Sequence, residues 1–448
     1  MELIEKIYNA GVVGVGGAGF PTHIKLKCKV EYLIINGAEC EPLLEVDKYL
    51  MREKNREIIR TTQMVGQLIG AKHMFIGLKE KYHEEILYLN EAIKELDAQI
   101  QLYSLDNFYP AGDEQVMVHE ITGRVIPAGG IPLDIGAVVS NVGTIVGIHD
   151  ALEDKPVTDK YMTVVGDVVA PGFLQVPIGT SVRTCIEACG GTSLVDYKVI
   201  LGGPMMGKVI DGQEIDATYV TKTMGALIVV PADHYIVKRK EQPLTHSINQ
   251  AKTACIQCKM CTDMCPRNLM GHQLRPHKIM RIMGLGTTDE EILKEAMICS
   301  ECGICELYAC PMGLSPRLVN AYVKQELRQK GIRYERQPLN DVNSLRDYRK
   351  VPVPRLVARL DLSRFKGEKL NDMKVLEVDK VCISLSQHIG KPATPRVTVG
   401  DYVKKGQIIG DVDREDFGAV IHASISGKVC EVSHYITILQ DSEVILGD

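Results

Sequence analysis

Residues 254–268 read ACIQCKMCTDMCPRN: four cysteines in eleven positions, closing on Cys265-Pro266. A second group, CSECGICELYACP, follows at 299–311. In each, three thiols stand three residues apart and a fourth lies farther on before a proline: Cys255, Cys258, Cys261 and Cys265, then Cys299, Cys302, Cys305 and Cys310. Thiolates at three-residue steps wrap one face of a cubane iron–sulfur cluster, and the distant fourth reaches the neighbouring cluster. The spacing therefore predicts two [4Fe–4S] clusters. By the crossing rule, one takes Cys255, Cys258, Cys261 and Cys310, and the other takes Cys299, Cys302, Cys305 and Cys265. The spacer before Cys310 is one residue longer than its counterpart before Cys265. A structural zinc needs four ligands in two pairs and has no use for a third cysteine at the same step. Packed core thiols do not fit either, because Gln257, Lys259, Asp263, Glu301 and Glu306 lie between them.

Working outward, 448 residues exceed one ordinary core, so three or four domains are expected. A formal charge of -5 offers no general attraction to nucleic acid, and the absence of Trp with only six Phe argues against base-stacking platforms. The start, MELIEKIYNAGVVG, lacks a basic region followed by an apolar one, and no apolar run reaches the length of a membrane span. The expectation is a cytoplasmic protein. The scattered thiols Cys28, Cys40, Cys185, Cys189, Cys382 and Cys430 read as packing residues rather than a disulfide framework.

The fold class expected is α/β multidomain. Residues 1–150 alternate β-branched runs (VEYLIIN, KHMFIGL, IQLYSL) with helical patterns, the signature of a largely parallel sheet. Residues 156–236 break into short strands with Gly and Pro and suit one helix over a small sheet. Residues 245–330 carry the cysteines between short helices, 331–365 read as a connector, and 366–448 return to strands and turns.

Clusters move single electrons, whereas a nicotinamide delivers two as hydride, so a flavin is the usual converter. The stretch GVVGVGGAGFPTHIKL (11–26) places Gly14, Gly16, Gly17 and Gly19 before Lys25, which suits a phosphate or ring close to the backbone. It is neither a P-loop nor the dinucleotide fingerprint, and a tight turn is the bland alternative. Around the cysteines, Arg267, Arg275, Lys278 and Arg281 follow the first group, while Glu301 and Glu306 lie inside the second. Cations favour the reduced cluster, so the first-group cluster is expected to have the higher potential.

GVGGAGFPTHIK resembles the glycine-rich flavin loop of the NADH-oxidising flavoprotein subunit of respiratory complex I; INGAECEP (35–42) and SNVGT (140–144) resemble two further segments of that subunit. The resemblance implies a Rossmann-like FMN domain. FMN would be held by Gly14, Gly16, Gly17, Gly19, Lys25, Asn36, Asn141 and Thr144, with Glu39 and Glu41 as catalytic residues near the ring and NADH as donor. Ala38 and Gly143 stand where that subunit has acidic residues. GDVVAPGFLQVPIGTSVRTCIEACGG with GGPMMG resembles the soluble-ligand-binding (SLBB) β-grasp domain of the same family. The C-terminal block is similar to the barrel-sandwich domain of the Rnf complex C subunit, where it comes first rather than last, and it has no lysine placed for an attached cofactor.

Taken in this order, with a ferredoxin-like two-[4Fe–4S] helical domain before the barrel, nearly the whole chain resembles the cobalamin reductases of propanediol-utilisation microcompartments. That resemblance implies electrons passing from NADH through FMN and two clusters to cob(III)alamin. It implies cobalamin or a corrinoid adenosyltransferase as partner, with shell or lumen proteins of a bacterial microcompartment as neighbours. Two alternatives stand beside it: an Rnf-like electron-entry subunit of a membrane complex, and a non-enzymatic cobalamin-binding or scaffold protein. His23 is a candidate for proton exchange at the flavin. His272 and His277 are read as solvated or cluster-screening groups in preference to cobalt ligands.

Overall fold

The computed structural model describes residues 2–336, 341–367 and 370–440; parts of the segments expected as connector and barrel, 337–340, 368–369 and 441–448, lie outside the described residues. The N-terminal unit is a parallel sheet of β1 (Tyr32–Asn36), β2 (His73–Lys79), β3 (Gln101–Leu105) and β5 (Ala137–Asn141), with the two-residue β4 (Phe108–Tyr109) outside it. The order is β3-β2-β1-β5. Helices over both faces explain why β1 is a continuous apolar run instead of an alternating one. Leu33 and Ile35 face a core with Ile58, Val65 and Ile145, while Ile34 faces another with Met117, Val116 and Val139. The chain steps outward from β1 to β2 and β3, then returns to β1's other side, so the strand order reverses between β1 and β5. Ligands of open α/β sheets bind beyond the carboxyl ends at such a reversal. Asn36 and Asn141 pair across those ends.

The second unit is a mixed sheet built from β6 (Asp159–Gly166), β7 (Gly172–Pro177), β8 (Tyr197–Leu201), β9 (Lys208–Asp211) and β10 (Ala226–Pro231), packed on the helix Val182–Ala188. This is the β-grasp arrangement. Three longer helices, Leu244–Ala254, Pro276–Leu285 and Pro316–Gln329, then frame the two cysteine loops. The C-terminal unit is a barrel-sandwich of one four-stranded and one three-stranded sheet around Val381, Ile383, Ile409, Val429 and Ile438.

Two segments differ from the sequence expectation. The connector is a packed strap: β11 (Val351–Pro352) pairs with β4, and Val353, Leu356, Val357, Leu360, Leu362 and Phe365 are buried against Tyr109, Ile236, Ile304 and Leu307. Its prolines and charges hid an apolar helical face running from Val353. The strand β12 (Asn371–Val375), within the segment expected to open the barrel, instead runs parallel to β7 and extends the β-grasp sheet. An edge strand's open hydrogen-bonding groups accept such an addition from any nearby extended segment.

The barrel is pinned to the rest at Lys222. This buried side chain leaves the β-grasp unit and donates to the carbonyl of Gly11 at 2.7 Å and to that of Val420 at 2.8 Å, while its backbone N–H donates to Gln387 Oε1. Among the described residues no helix is long and apolar enough to cross a membrane.

Candidate functional site

The glycine loop covers the β1/β5 reversal. Gly14 N donates to Phe20 O at 2.9 Å, and Val15 N donates to Thr144 Oγ1 at 3.2 Å. A Cβ on Gly16 would lie 3.1 Å from that of Asn141, whereas one on Gly17 would meet nothing within 4 Å. Gly19 is left-handed at φ +75°, and a Cβ there would press on the backbone of His388 from the barrel. Behind the loop, Asn36 Nδ2 donates to Gly112 O at 2.9 Å. Asn141 caps the helix Val142–Leu152 through Gly143 N at 2.7 Å and donates to Asp47 Oδ2 at 2.8 Å.

A cavity of about 1320 Å³ opens here, lined among others by Gly16, Gly17, Lys25, Asn36, Glu39, Glu41, Asn141 and Thr144. Single-ligand pockets run roughly 300–1,000 Å³, so a flavin leaves space for a second reactant. Glycine backbone, a helix N-terminus and half-buried amides suit a flavin phosphate and ring. Gly14 and Gly19 shape the loop from behind and do not line the cavity. Lys25 is paired with Glu114 at 3.2 Å.

The two glutamates differ. Glu39 is half-buried, and desolvation first, then Asp47 and Glu41, hold its carboxyl well above the usual range. Lys79 Nζ and Tyr82 Oη donate to its backbone carbonyl at 3.0 and 3.2 Å. Glu41 reaches across to the β-grasp unit, accepting from Met205 N at 2.8 Å and Met206 N at 2.9 Å. Both its oxygens are thus used in a clasp between units. A Cβ on Gly203, in the same GGPMM turn, would fall 2.2 Å from that carboxylate. Asp47 and Lys160, missed in the sequence reading, also line the cavity.

The cysteines separate into two sets drawn from both loops. Cys255, Cys258, Cys261 and Cys310 line a small cavity with His277 and Met280. Burial first, then Cys310, Cys255 and Cys258, pushes the Cys261 thiol up to about 12. In the other set, burial and then Cys299, Cys302 and Cys265 raise the Cys305 thiol. The loops repeat one backbone device: the second residue after the leading cysteine is left-handed in each (Gln257 φ 53°, Glu301 φ 58°), and so is the fourth (Lys259 φ 64°, Gly303 φ 82°). Such turns cost non-glycine residues about 1 kcal/mol apiece and aim backbone N–H groups inward. Glu301 N donates to Cys299 Sγ at 3.4 Å. Among the described residues no three His, Cys, Asp or Glu side chains converge as a single metal ion requires. The first set rings a small cavity, which suits an inorganic cluster held by four thiolates.

The second set abuts the large cavity, because Ser300 and Cys302 belong to its wall. Tyr109, also on the wall, donates to Cys302 O at 2.8 Å. Arg267, buried, forms a two-bond pair with Asp113 at 2.7 and 2.8 Å. Folding pairs four of the six charges behind the contrast expected from sequence, Arg267 among them. Arg275 is bound to Glu295, Glu301 to Lys324 at 2.9 Å, and Glu306 to Arg317 at 3.1 Å. His272 and His277 are buried, not solvated; they are hydrogen-bonded to Ile126 O and Thr262 Oγ1. His23 packs against Tyr8 away from the cavity lining.

Comparison with known proteins follows this layout. The Nuo51 FMN-binding domain matches residues 7–150, the SLBB domain 161–209, the 4Fe-4S dicluster domain 254–315 and the RnfC barrel sandwich hybrid domain 366–445. The chain is an oxidoreductase whose cofactors are FMN and two [4Fe–4S] clusters. Among solved structures, an NAD+-reducing [NiFe]-hydrogenase in the H2-reduced state shares the fold at TM-score 0.50 and 17% identity, over 74% of this chain and 62% of that one. The cobalamin reductase PduS of Salmonella typhimurium is 41% identical over 98% of this chain and 96% of its own length. That of Citrobacter freundii is 42% identical over 97% and 96%. With both matched from end to end, the chain belongs to the PduS cobalamin reductase family.

Proposed function

We propose that this protein passes electrons from NADH, through FMN and the two clusters in turn, to cob(III)alamin. One observation carries the order: Cys302 borders the flavin cavity, whereas Cys258 of the other set is exposed. FMN, when bound, would supply the conversion between a two-electron hydride donor and one-electron acceptors. The glycine loop, Asn36, Asn141 and Thr144 would hold it, and Glu39 and Glu41 close the cavity on the donor side. Tyr109 holds the second cysteine loop against the cavity wall, and the Asp113–Arg267 pair anchors the end of the first. Cys299, Cys302, Cys305 and Cys265 would ligate the inner cluster; Cys255, Cys258, Cys261 and Cys310 would ligate the outer one, beside exposed Ile256 and Met260. That the relatives are cobalamin reductases supports cobalamin as acceptor; a corrinoid adenosyltransferase and a microcompartment setting rest on the family resemblance alone.

The test is anaerobic. NADH is expected to bleach the flavin of the wild-type protein and to reduce hydroxocobalamin and a viologen dye. Cys310→Ser should keep flavin bleaching and lose most cobalamin reduction. Full cobalamin activity without the outer cluster would reject the proposed order, and bleaching by reduced ferredoxin but not NADH would reject the donor.

A further inference from the structure

We propose that Lys160, supplied by the β-grasp unit, is a positioning residue of the flavin site whose ammonium faces the negative charge that reduction places on the flavin ring. The proposal rests on the flavin reading above and extends the site beyond the 7–150 segment that matches the FMN-binding model.

Lys160 lies on β6, opposite Val176 of β7, and its side chain is 8% exposed. A lysine buried in a sheet is costly unless something negative meets it. Here it lines the cavity together with Asp47 and Glu39. Burial lowers its pKa to about 8, opposed by Asp47 and Glu39. Asp47 in turn accepts from Asn141 Nδ2 at 2.8 Å, and Asn141 backs Gly16 of the loop. Asp47 and Glu39 are thus the carboxylates that share the cavity wall with this ammonium, and Asp47 is joined to the flavin loop through one amide. The other buried lysine on the wall, Lys222, is occupied by two backbone carbonyls. Lys25 at the wall is paired with Glu114.

Hydride arriving at the flavin brings two electrons and one proton, leaving the reduced ring with one negative charge shared over its pyrimidine edge. A fixed cation beside that edge favours the reduced form and raises the midpoint potential. Because Lys160 belongs to the β-grasp unit, the seating of that unit on Glu41 also sets the flavin's electrostatics.

The experiment compares wild type, Lys160→Met, Lys160→Arg and Asp47→Asn, all FMN-loaded and anaerobic, by dye-equilibrated redox titration of the flavin spectrum, with binding constants for FMN and riboflavin. Lys160→Met is expected to lower the flavin midpoint by about 30 mV, a tenfold loss in relative affinity for the reduced form. Lys160→Arg should retain most of the wild-type value, and Asp47→Asn should shift it upward. The last two keep the test decisive if Lys160→Met does not fold. An unchanged midpoint in FMN-replete Lys160→Met or Asp47→Asn overturns the proposal and leaves the flavin site intact. Weakened binding confined to FMN, with riboflavin unaffected, would place the ammonium at the phosphate and also overturn it. A wild-type protein that takes up no FMN would instead overturn the reading on which the proposal rests.

Discussion

Arg267 follows Cys265-Pro266 in the chain, yet its charge is spent on Asp113, 154 positions away. The Arg267 guanidinium is held above its ordinary range, with burial opposing and Asp113, Cys302 and Cys265 favouring the charged form. Asp113→Asn would leave a buried cation beside the inner sulfurs. Breaking such a pair costs about 3–5 kcal/mol. The expected outcome is a higher midpoint for the inner cluster alone, followed by EPR-monitored titration; equal shifts of both clusters would show that the cation does not act locally. Ligand exchange is tested as simply. Cys265→Ser and Cys310→Ser should each leave about four irons per chain by colorimetric analysis, from different clusters. Cys310→Ser should lose the same EPR signal as Cys258→Ser, and Cys265→Ser the same signal as Cys302→Ser; Cys310→Ser losing the signal that Cys302→Ser loses would refute the crossed assignment.

At the scale of elements, the reversal between β1 and β5 puts Asn36 and Asn141 side by side, and the GGPMM turn reaches over to meet Glu41. That turn has no room for a side chain at Gly203. Gly203→Ala is expected to displace either the turn or the carboxylate, at the 1–3 kcal/mol typical of overpacking. Denaturant midpoints and FMN fluorescence should both report it, with weaker flavin retention than wild type. Retention equal to wild type would mean that the clasp is not needed to close the cavity. The strap 351–365 shows the opposite economy, since its packing on Tyr109 and Leu307 makes it part of the wall behind the inner cysteines.

The whole molecule carries a pH dependence at the junction of its N-terminal, β-grasp and barrel units. Burial, then Lys27 and His388, lowers His23 to about 4; burial, then Lys222, lowers His422 to about 3. Both histidines are buried, with ring nitrogens that lack partners. Above about pH 6.5 neither the folded nor the unfolded chain protonates them, so their contribution is fully present. Below that, the unfolded chain binds two protons that the folded one refuses until about pH 4 and 3, and stability falls with pH across that window. Thermal melts from pH 7 to 4 are expected to decline steeply, and a His23→Gln, His422→Gln double variant should decline less. Parallel decline in the two proteins would locate the acid sensitivity elsewhere, for instance in the clusters.

The parallel sheet of residues 1–150 and both cysteine sets were legible because each depends on local spacing: a continuous apolar run between amphipathic helices, and thiols at three-residue steps. The connector was misread because Pro and charge masked an apolar stripe whose partners lie in two other units. Asp47, Tyr109, Lys160 and the pairing of Arg267 left no usable signal, since burial of a polar group acquires meaning only from what is buried with it. The sequence by itself determined which cofactors this chain can hold. Tertiary packing alone decided which cysteine loop borders the large cavity and which charges stand beside each, because electrostatic effects depend on distance through space and on exclusion of water, neither of which is written along the chain.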